Sequence, residues 1–227
     1  MQAPTSRTVL IGFEASGVMR DAFMARGIPA ISCDLKPSAR PGPHIRGNVF
    51  DHLGRGWLAA ILHPPCDFLT VAAEWAFGDG PYHQQVKPGT LVGQARRDAR
   101  AAAIADFQRC LDAPIRHIAV ENPVNCIGGY DQRVQPNWFG DDASKWTCFW
   151  LRNLPKLRPT GYRHGRIVDP DPQHLFGGGV ERWANQTDSG QNRLSPSPDR
   201  AALRAETYPG IAAAAAKQWG DFIMGCG

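Results

Sequence analysis

The fold of this chain is decided by residues 8–27, which read TVLIGFEASGVMRDAFMARG. The first six residues form a largely apolar run with β-branched members, the pattern of a strand buried on both faces of a parallel sheet. From Val18 to Arg26 the apolar residues recur at helical spacing, and Gly27 stands where a glycine commonly ends a helix. A strand, a turn and a helix in this order predict the first unit of an α/β fold.

The same alternation continues beyond this unit. We predict further strands at residues 30–33, 44–49, 58–62, 115–120 and 146–151, and helices at 92–111 and 209–224. Residues 67–93 mix glycine, proline and aromatic residues, and we expect part of this segment to be a mobile lid. Strands that alternate with helices indicate an α/β, Rossmann-like parallel sheet with helices on both faces.

The bulk composition narrows the class of protein. Hydrophobic residues make up 43% of the chain and charged residues 20%, which is typical of a folded, globular protein. No stretch is long and apolar enough for a membrane span or a signal peptide, so we expect a cytoplasmic protein without a membrane partner. The six cysteines form no CxxC pair, which argues against a disulfide framework and against a metal site, and predicts reduced, mostly buried thiols. A net charge of +4 permits a polyanionic partner.

Five polar residues fall at or just after the carboxyl ends of the predicted strands: Glu14, Asp34, Asn48, Cys66 and Glu121. In doubly wound sheets ligands bind at this edge, so these residues predict one site. Asp34 follows the first turn at about the spacing of the acidic residues that bind ribose hydroxyls.

The first turn, residues 14–17, reads EASG and lacks the GxGxxG pattern that holds a pyrophosphate. The amides that follow Gly17 could hold a carboxylate, and Glu14 could face a positive group. The alternative is a plain structural turn between a strand and a helix.

Two short motifs carry a family resemblance. Residues 64–70 read PPCDFLT after one strand, and residues 121–123 read ENP after the next. They resemble the DNA cytosine-5 methyltransferase family, which has Pro-Pro-Cys with a small hydroxyl residue four positions after the cysteine, and Glu-Asn after its next strand. Over residues 8 to about 154, the resemblance implies a Rossmann-like methyltransferase that uses S-adenosylmethionine, a cofactor without a phosphate.

The resemblance also implies the roles of individual residues. Cys66 would attack carbon 6 of a flipped cytosine, and Glu121 would contact ring nitrogen N3 and the exocyclic amine. Lys145 would replace one of two family arginines before the sixth strand, with Arg152 or Arg133 in place of the other. The residues assigned to the cofactor are Phe13, Glu14, Ala15, Ser16, Gly17, Asp34, Leu35, Asn48, Val49 and Pro64. Those assigned to the DNA substrate are Asp67, Asn122, Pro123, Arg152 and Arg193.

The chain also departs from the large family. His63 and Asp67 stand where the family more often has Gly and Gln, Asn48 replaces an aspartate, and Pro123 replaces a valine. The overall spacing is similar to a compact, phage- or prophage-type branch, together with the tail segments 186–193, 197–200 and 207–211. The large target-recognition domain is missing. We therefore divide the chain into a catalytic core at residues 1–159, an irregular region for substrate recognition at 160–208, and a helix at 209–227 that packs back on the core.

Three other interpretations stay beside cytosine-5 methylation of duplex DNA. The same chemistry could act on single-stranded DNA or on a free cytosine nucleotide, as the missing recognition domain favours. An amino methyltransferase would carry an aromatic residue after Pro-Pro, because that residue must stack on the base. A catalytically idle protein with this cofactor fold could bind nucleic acid or a partner, in which case Cys66 is a structural thiol and Lys145 a solvated side chain.

Overall fold

The structure is a computed structural model that describes residues 7–71, 73–83, 85–169, 178–194 and 206–225. The tail segment 197–200 and Cys226 lie outside the described residues. The strands are β1 (Val9–Gly12), β2 (Ala30–Asp34), β3 (His44–Arg46), β4 (Ala59–Leu62), β5 (His117–Pro123), β6 (Gln132–Val134), β7 (Thr147–Arg152), β8 (Arg166–Val168) and β9 (Val180–Arg182). The α-helices in these residues are α1 (Val18–Met24), α2 (Gly93–Leu111) and α3 (Pro209–Ile223).

Seven strands form the central sheet in the order β3-β2-β1-β4-β5-β7-β6. Strands β1 to β5 pair in parallel, and β7 runs antiparallel between β5 and β6. Gly12 pairs with both Cys33 and Leu62, and Leu62 pairs with Val120, so the parallel strands end at one level. This topology confirms the predicted α/β, Rossmann-like methyltransferase fold, although antiparallel β7 makes the sheet mixed rather than wholly parallel as predicted. It brings the carboxyl ends of β1, β2, β4 and β5 to one edge.

Helices cover both faces of the sheet. On one face, α1 and α3 pack against Ile11, Ile61 and Phe149 through side chains that include Phe23 and Trp219. On the other face, Phe107 and Cys110 of α2 pack against Leu10, Leu62 and Val120. Neighbouring residues of one strand, such as Leu10 and Ile11, therefore enter different clusters, which explains the continuous apolar runs in the sequence.

The turn after β1 is held by a buried arginine. Arg20 is fully covered, and its guanidinium donates to Ser32 Oγ, Ser38 Oγ and the carbonyl oxygens of Arg40 and Pro41. Gly17 begins α1 at φ 77°, and a Cβ there would lie 2.6 Å from the Arg20 guanidinium. The turn therefore requires glycine for its positive φ and for the close approach of Arg20.

The structure differs from the predicted elements in three places. Strand β6 was not predicted, because it has only three residues and no apolar periodicity. Residues 160–208 were expected to be irregular, but β8 and β9 pair as an antiparallel hairpin within them. Strand β5 continues through Glu121 to Pro123, because antiparallel β7 extends its pairing, so Glu121 lies within the strand rather than after it.

Across the described residues, no helix is both long and apolar enough to cross a lipid bilayer.

Candidate active site

Cys66 lies just beyond the carboxyl end of β4. The His63 amide still donates to the Gly12 carbonyl oxygen at 3.0 Å, but Pro64 and Pro65 have no N–H and end the ladder. The Cys66 carbonyl oxygen then accepts from the amides of Leu69 and Thr70, at 3.0 and 3.1 Å. This turn leaves Cys66 half-buried past the sheet edge, where a ligand can reach it.

The segment after Cys66, which was predicted to include a mobile lid, is tied to α2 by arginines. Arg100 donates to the Phe68 carbonyl oxygen at 2.8 Å and to Glu74 Oε1 at 2.7 Å. Its guanidinium carbon also lies 3.4 Å from the centroid of the Phe77 ring. These contacts hold the described part of the segment against the helix that follows it in the chain.

Glu121 lies beside His63 within β5. The parallel register pairs Leu62 with Val120, and one residue further along it places His63 next to Glu121 on the same face. His63 Nδ1 is 3.1 Å from Glu121 Oε2, and these side chains are 8% and 17% exposed. Burial by itself would raise the pKa of Glu121, but the hydrogen bond and charge of His63 and the charge of Lys145 lower it below its usual value.

Charged neighbours shift the pKa of the Cys66 thiol in opposite directions. Burial raises its pKa most, and the negative charges of Asp67 and Glu121 raise it further, whereas Lys145 lowers it. The net pKa is raised, so the thiol is neutral at neutral pH in the free protein. Cys66, Glu121 and Lys145, the three residues predicted to be catalytic, are thus close enough to share one electrostatic environment.

The other described cysteines are not equivalent to Cys66. Burial raises the pKa of Cys33 and of Cys148 to about 11, and that of Cys110 to about 12. Cys126 is exposed. Among the five thiols that the structure describes, only Cys66 is both reachable and flanked by Glu121 and Lys145.

Lys145 enters the site from the loop before β7. Its amide donates to Gln135 Oε1 at 2.8 Å, which fixes the backbone of the loop. Its Nζ lies 6.0 Å from the centroid of the Tyr208 ring. The nearby Arg133 stacks on Trp146, with 3.9 Å between guanidinium carbon and ring centroid.

Asn122 was assigned to the substrate, but its side chain is buried and used by the protein. Its Nδ2 donates to the Pro64 carbonyl oxygen at 2.8 Å, and its Oδ1 accepts from Asn125 Nδ2 at 3.1 Å. The side chain therefore fixes the Pro64-Pro65-Cys66 loop against β5. Pro123 continues β5 by pairing with Thr147.

The side chain of Arg152, which was assigned to the substrate, is used by the protein itself. It pairs with Ile118 near the amino end of β5, because β7 runs antiparallel. Its guanidinium donates to the carbonyl oxygens of Leu111, Ala113 and Ile115. The side chain therefore ties β7 to the end of α2 at the opposite edge of the sheet.

Arg193 is exposed in the segment after β9, and its nearest charged partner is Asp188 at 3.9 Å. Asn185 of the same segment donates to the Ser144 carbonyl oxygen and accepts from the Ser144 amide. The segment is thereby joined to the loop that carries Lys145. Asp67 is exposed directly beside Cys66.

The Glu14 carboxylate, which was predicted to face a positive group, caps α1. Its Oε1 accepts from the Met19 amide at 2.7 Å and from Ser16 Oγ at 3.1 Å, and Oε2 accepts from the Arg20 amide at 3.4 Å. The Val18 amide donates to Ser16 Oγ. The first-turn amides predicted to hold a cofactor carboxylate are therefore already taken by the protein's own acceptors.

The remaining predicted cofactor residues lie at the ends of β1, β2 and β3. Asp34 Oδ1 accepts from the Lys36 amide, Leu35 is 70% exposed, and Asn48 caps a short 3-10 helix (Val49–Asp51) whose first residue is buried. Phe13 is half-buried and packs edge-on against Phe50. Asp34 keeps one carboxylate oxygen that is not hydrogen-bonded among the described residues, and this oxygen fits a ribose hydroxyl. The neighbouring apolar side chains of Leu35 and Phe13 fit an adenine ring. Ala15, Ser16, Gly17 and Pro64 complete this edge.

A pocket joins Glu121 to the amino end of α3. Residues that sequence reasoning had not assigned to the site form much of its wall, and the full lining is Met19, His63, Glu121, Lys145, Thr147, Phe149, Glu206, Thr207, Tyr208 and Ile211. The available signal for Thr207, Tyr208 and Ile211 was the tail segment 207–211, which resembles the short methyltransferase branch. No group of three or more potential metal-ligating side chains occurs within the described ranges.

Comparisons with known proteins add a fold-level likeness. No protein-family model matches the chain. No curated protein matches it in sequence. One similar solved structure is that of a DNMT2 variant from Spodoptera frugiperda, with 15% identity and a TM-score of 0.39. The match covers 72% of this chain and 61% of that one, so the chain spans less than two thirds of its length. The Rossmann-like methyltransferase fold rests on the strand order described above.

Proposed function

We propose that this chain transfers a methyl group from S-adenosylmethionine to carbon 5 of cytosine in DNA, with Cys66 as the nucleophile. One observation carries the proposal: Cys66 after β4 and Glu121 on the neighbouring β5 share one site with Lys145. A nucleophilic thiol, a carboxyl group and a cation at the ligand-binding edge of this fold are the groups that such a reaction needs. The likeness of residues 186–193 and 207–211 to the phage-type branch is part of the same proposal.

The proposed reaction gives each group a defined role. Cys66 loses its proton to water and its Sγ adds to carbon 6 of cytosine. Glu121 takes up a proton from solvent when the base binds, and it gives that proton to N3 and so removes the negative charge from the ring. Carbon 5 then takes the methyl group. Loss of the carbon 5 proton to water reforms the 5,6 double bond and breaks the Sγ–carbon 6 bond, while N3 returns its proton to Glu121. Lys145 supports the thiolate and the ring through its positive charge.

S-adenosylmethionine supplies an electrophilic methyl group when it is bound. Asp34 would accept hydrogen bonds from its ribose hydroxyls, and Leu35 and Phe13 would contact its adenine. Glu14 and Ser16 would act indirectly, by holding α1 and the turn after β1.

Tritiated cofactor provides the first test. The full chain is incubated with labelled S-adenosylmethionine and with mixed-sequence duplex DNA, single-stranded DNA or dCMP, and the digested bases are separated by chromatography. We expect label in 5-methylcytosine from DNA, and its loss in Cys66→Ser but not in Cys126→Ser, which removes an exposed thiol outside the site. DNA that contains 5-fluorocytosine should form a covalent adduct with the wild type and with Cys126→Ser but not with Cys66→Ser, because fluorine at carbon 5 blocks release of Cys66.

Each other pattern of label identifies a different activity. Label in dCMP alone would make a nucleotide the substrate, and label on the exocyclic amine would indicate an amino methyltransferase. If no cytosine substrate is labelled and no adduct forms, the methylation proposal is overturned in favour of a binding protein.

A further inference from the structure

We propose that His63 is a positioning residue for Glu121. The His63 Nδ1–H donates to Glu121 Oε2 and leaves Glu121 Oε1 to exchange a proton with N3 of the target cytosine. The inference rests on the proposed function and assigns a role to a residue that the family resemblance marked only as a departure.

The geometry that pairs the two side chains comes from the sheet itself. His63 and Glu121 are consecutive in register on adjacent parallel strands, one residue beyond the Leu62–Val120 pair. They lie on the face that also holds Ile61, Ala119 and Phe149. The contact of 3.1 Å between Nδ1 and Oε2 is therefore a cross-strand neighbour contact, which no loop movement is needed to form.

The backbone on both sides of His63 is anchored. Its own amide donates to the Gly12 carbonyl oxygen at 3.0 Å, and the carbonyl oxygen of the next residue, Pro64, accepts from Asn122 at 2.8 Å. The imidazole is 92% covered by the surrounding protein, since its side chain is only 8% exposed. A rigid, buried ring is suited to fix a carboxyl group in one orientation.

The hydrogen bond determines which nitrogen carries the proton. Glu121 is ionised at neutral pH in the free protein, so its Oε2 can only accept, and Nδ1 must donate. His63 Nε2 is then left as a buried atom with no hydrogen-bond partner among the described residues. It belongs to a ring that lines the pocket, and in the neutral imidazole it can accept a hydrogen bond from an N–H group of a bound ligand.

The proton balance follows from this arrangement. When cytosine binds, Glu121 Oε1 takes up a proton from solvent water. In the substrate complex, Oε1–H gives this proton to N3 as Cys66 Sγ adds to carbon 6, and Oε1 takes it back from N3 when Sγ leaves. The Nδ1 proton stays on His63 and stabilises the carboxylate that forms between these steps. The charged and titratable groups near this pair are Lys145 from the loop before β7, Cys66 from the loop after β4, and Glu206 and Tyr208 from the segment before α3.

Two substitutions of His63 distinguish a role in positioning Glu121 from a role in packing alone. His63→Asn places an amide N–H near the position of Nδ1, whereas His63→Leu fills a similar volume without a donor. We expect kcat on DNA to fall about 10²-fold in His63→Leu, with KM changed by no more than about twofold, and to recover most of that loss in His63→Asn. Equal activity of wild type and His63→Leu would overturn the inference, and so would equal loss in both variants.

A second measurement tests the His63–Glu121 hydrogen bond without any catalytic turnover. Long-range ¹H–¹⁵N spectra of the seven histidines, with His63 assigned by its absence in His63→Asn, should show the Nδ1–H tautomer for His63. The ¹³C resonance of the Glu121 carboxyl should titrate at a higher pH in His63→Leu than in wild type, since His63 lowers the pKa of Glu121. An Nε2–H tautomer together with an unchanged Glu121 titration contradicts the inference. If the wild type methylates no cytosine, the proposed function fails, and these spectra still accept or reject the pairing.

Discussion

The reactivity of Cys66 depends on burial and on charged neighbours of opposite sign. Asp67 raises the pKa of the thiol and Lys145 lowers it, after the larger effect of burial. Asp67→Asn should therefore lower the pKa of Cys66 and increase the thiolate fraction at neutral pH. Lys145→Gln should raise the pKa and reduce that fraction.

Alkylation by iodoacetamide as a function of pH measures both changes. In a Cys126→Ser background, the rate profile of Cys66 should move to lower pH in Asp67→Asn and to higher pH in Lys145→Gln. Movement of both profiles in the same direction would show that the two side chains do not act on the thiol by charge.

The sequence predicted which residues lie close together at the site better than it predicted the hydrogen-bond partners of each side chain. Cys66, Glu121 and Lys145 could be named from short motifs and their positions relative to strands. The true contacts of Asn122 and Arg152 could not, because their partners are carbonyl oxygens of Pro64 and of Leu111, which are 58 and 41 residues away in the chain. Such acceptors exist only once the sheet has formed, and no local pattern marks them.

Helix α1 depends on a cap that comes from outside the helix. It has seven residues, which is too short to be stable alone, and Gly17 supplies no side chain to its first amides. The buried Glu14 carboxylate accepts from two of them instead. Glu14 therefore connects the end of β1 to the start of α1.

Removal of this cap should destabilise the protein by about 1–2 kcal/mol in Glu14→Ala, measured by urea unfolding. Asp106→Asn, which removes an exposed acid paired with Arg109 on α2, should cost no more than about 0.5 kcal/mol. We expect the loss in Glu14→Ala to be the same with and without S-adenosylmethionine. A clearly larger loss with the cofactor present would restore Glu14 as a direct cofactor contact.

Elements with a strong local signal were predicted, and those created by pairing were not. Residues 8–27 show apolar periodicity and a glycine stop, and they form β1 and α1 within a residue or two of the expected bounds. Strand β6 has three residues with one buried apolar side chain, and it exists because β7 offers it an antiparallel edge. The order of strands at that edge also depends on tertiary packing, which periodicity does not encode.

Helix α3 completes the hydrophobic core on one face of the sheet. Helix α3 packs beside α1 on one face of the sheet, and its Trp219 is 1% exposed. The Trp219 ring meets Phe149 of β7 edge-on at 5.4 Å between centroids, and its Nε1 donates to the Pro155 carbonyl oxygen at 2.8 Å. The same helix begins at the pocket, with Tyr208 and Ile211 in its wall. The C-terminal helix is therefore an integral part of the sheet's packing, and it connects the core to the candidate site.

Substitution of Trp219 tests this role of α3. Trp219→Ala should lower the free energy of unfolding by about 3–5 kcal/mol, because it leaves a large cavity between α3 and β7. Trp219→Phe keeps most of the ring and should lose about 1–2 kcal/mol, much of it from the unpaired Pro155 carbonyl oxygen. Lys217→Ala on the same helix removes only an exposed ion pair with Asp221 and should stay within about 0.5 kcal/mol of wild type. Urea unfolding followed by circular dichroism should give one transition for the wild type and for all three variants.

A separate early transition in Trp219→Ala would mean that α3 can detach while the sheet stays folded. That result would contradict the role of α3 in completing the core.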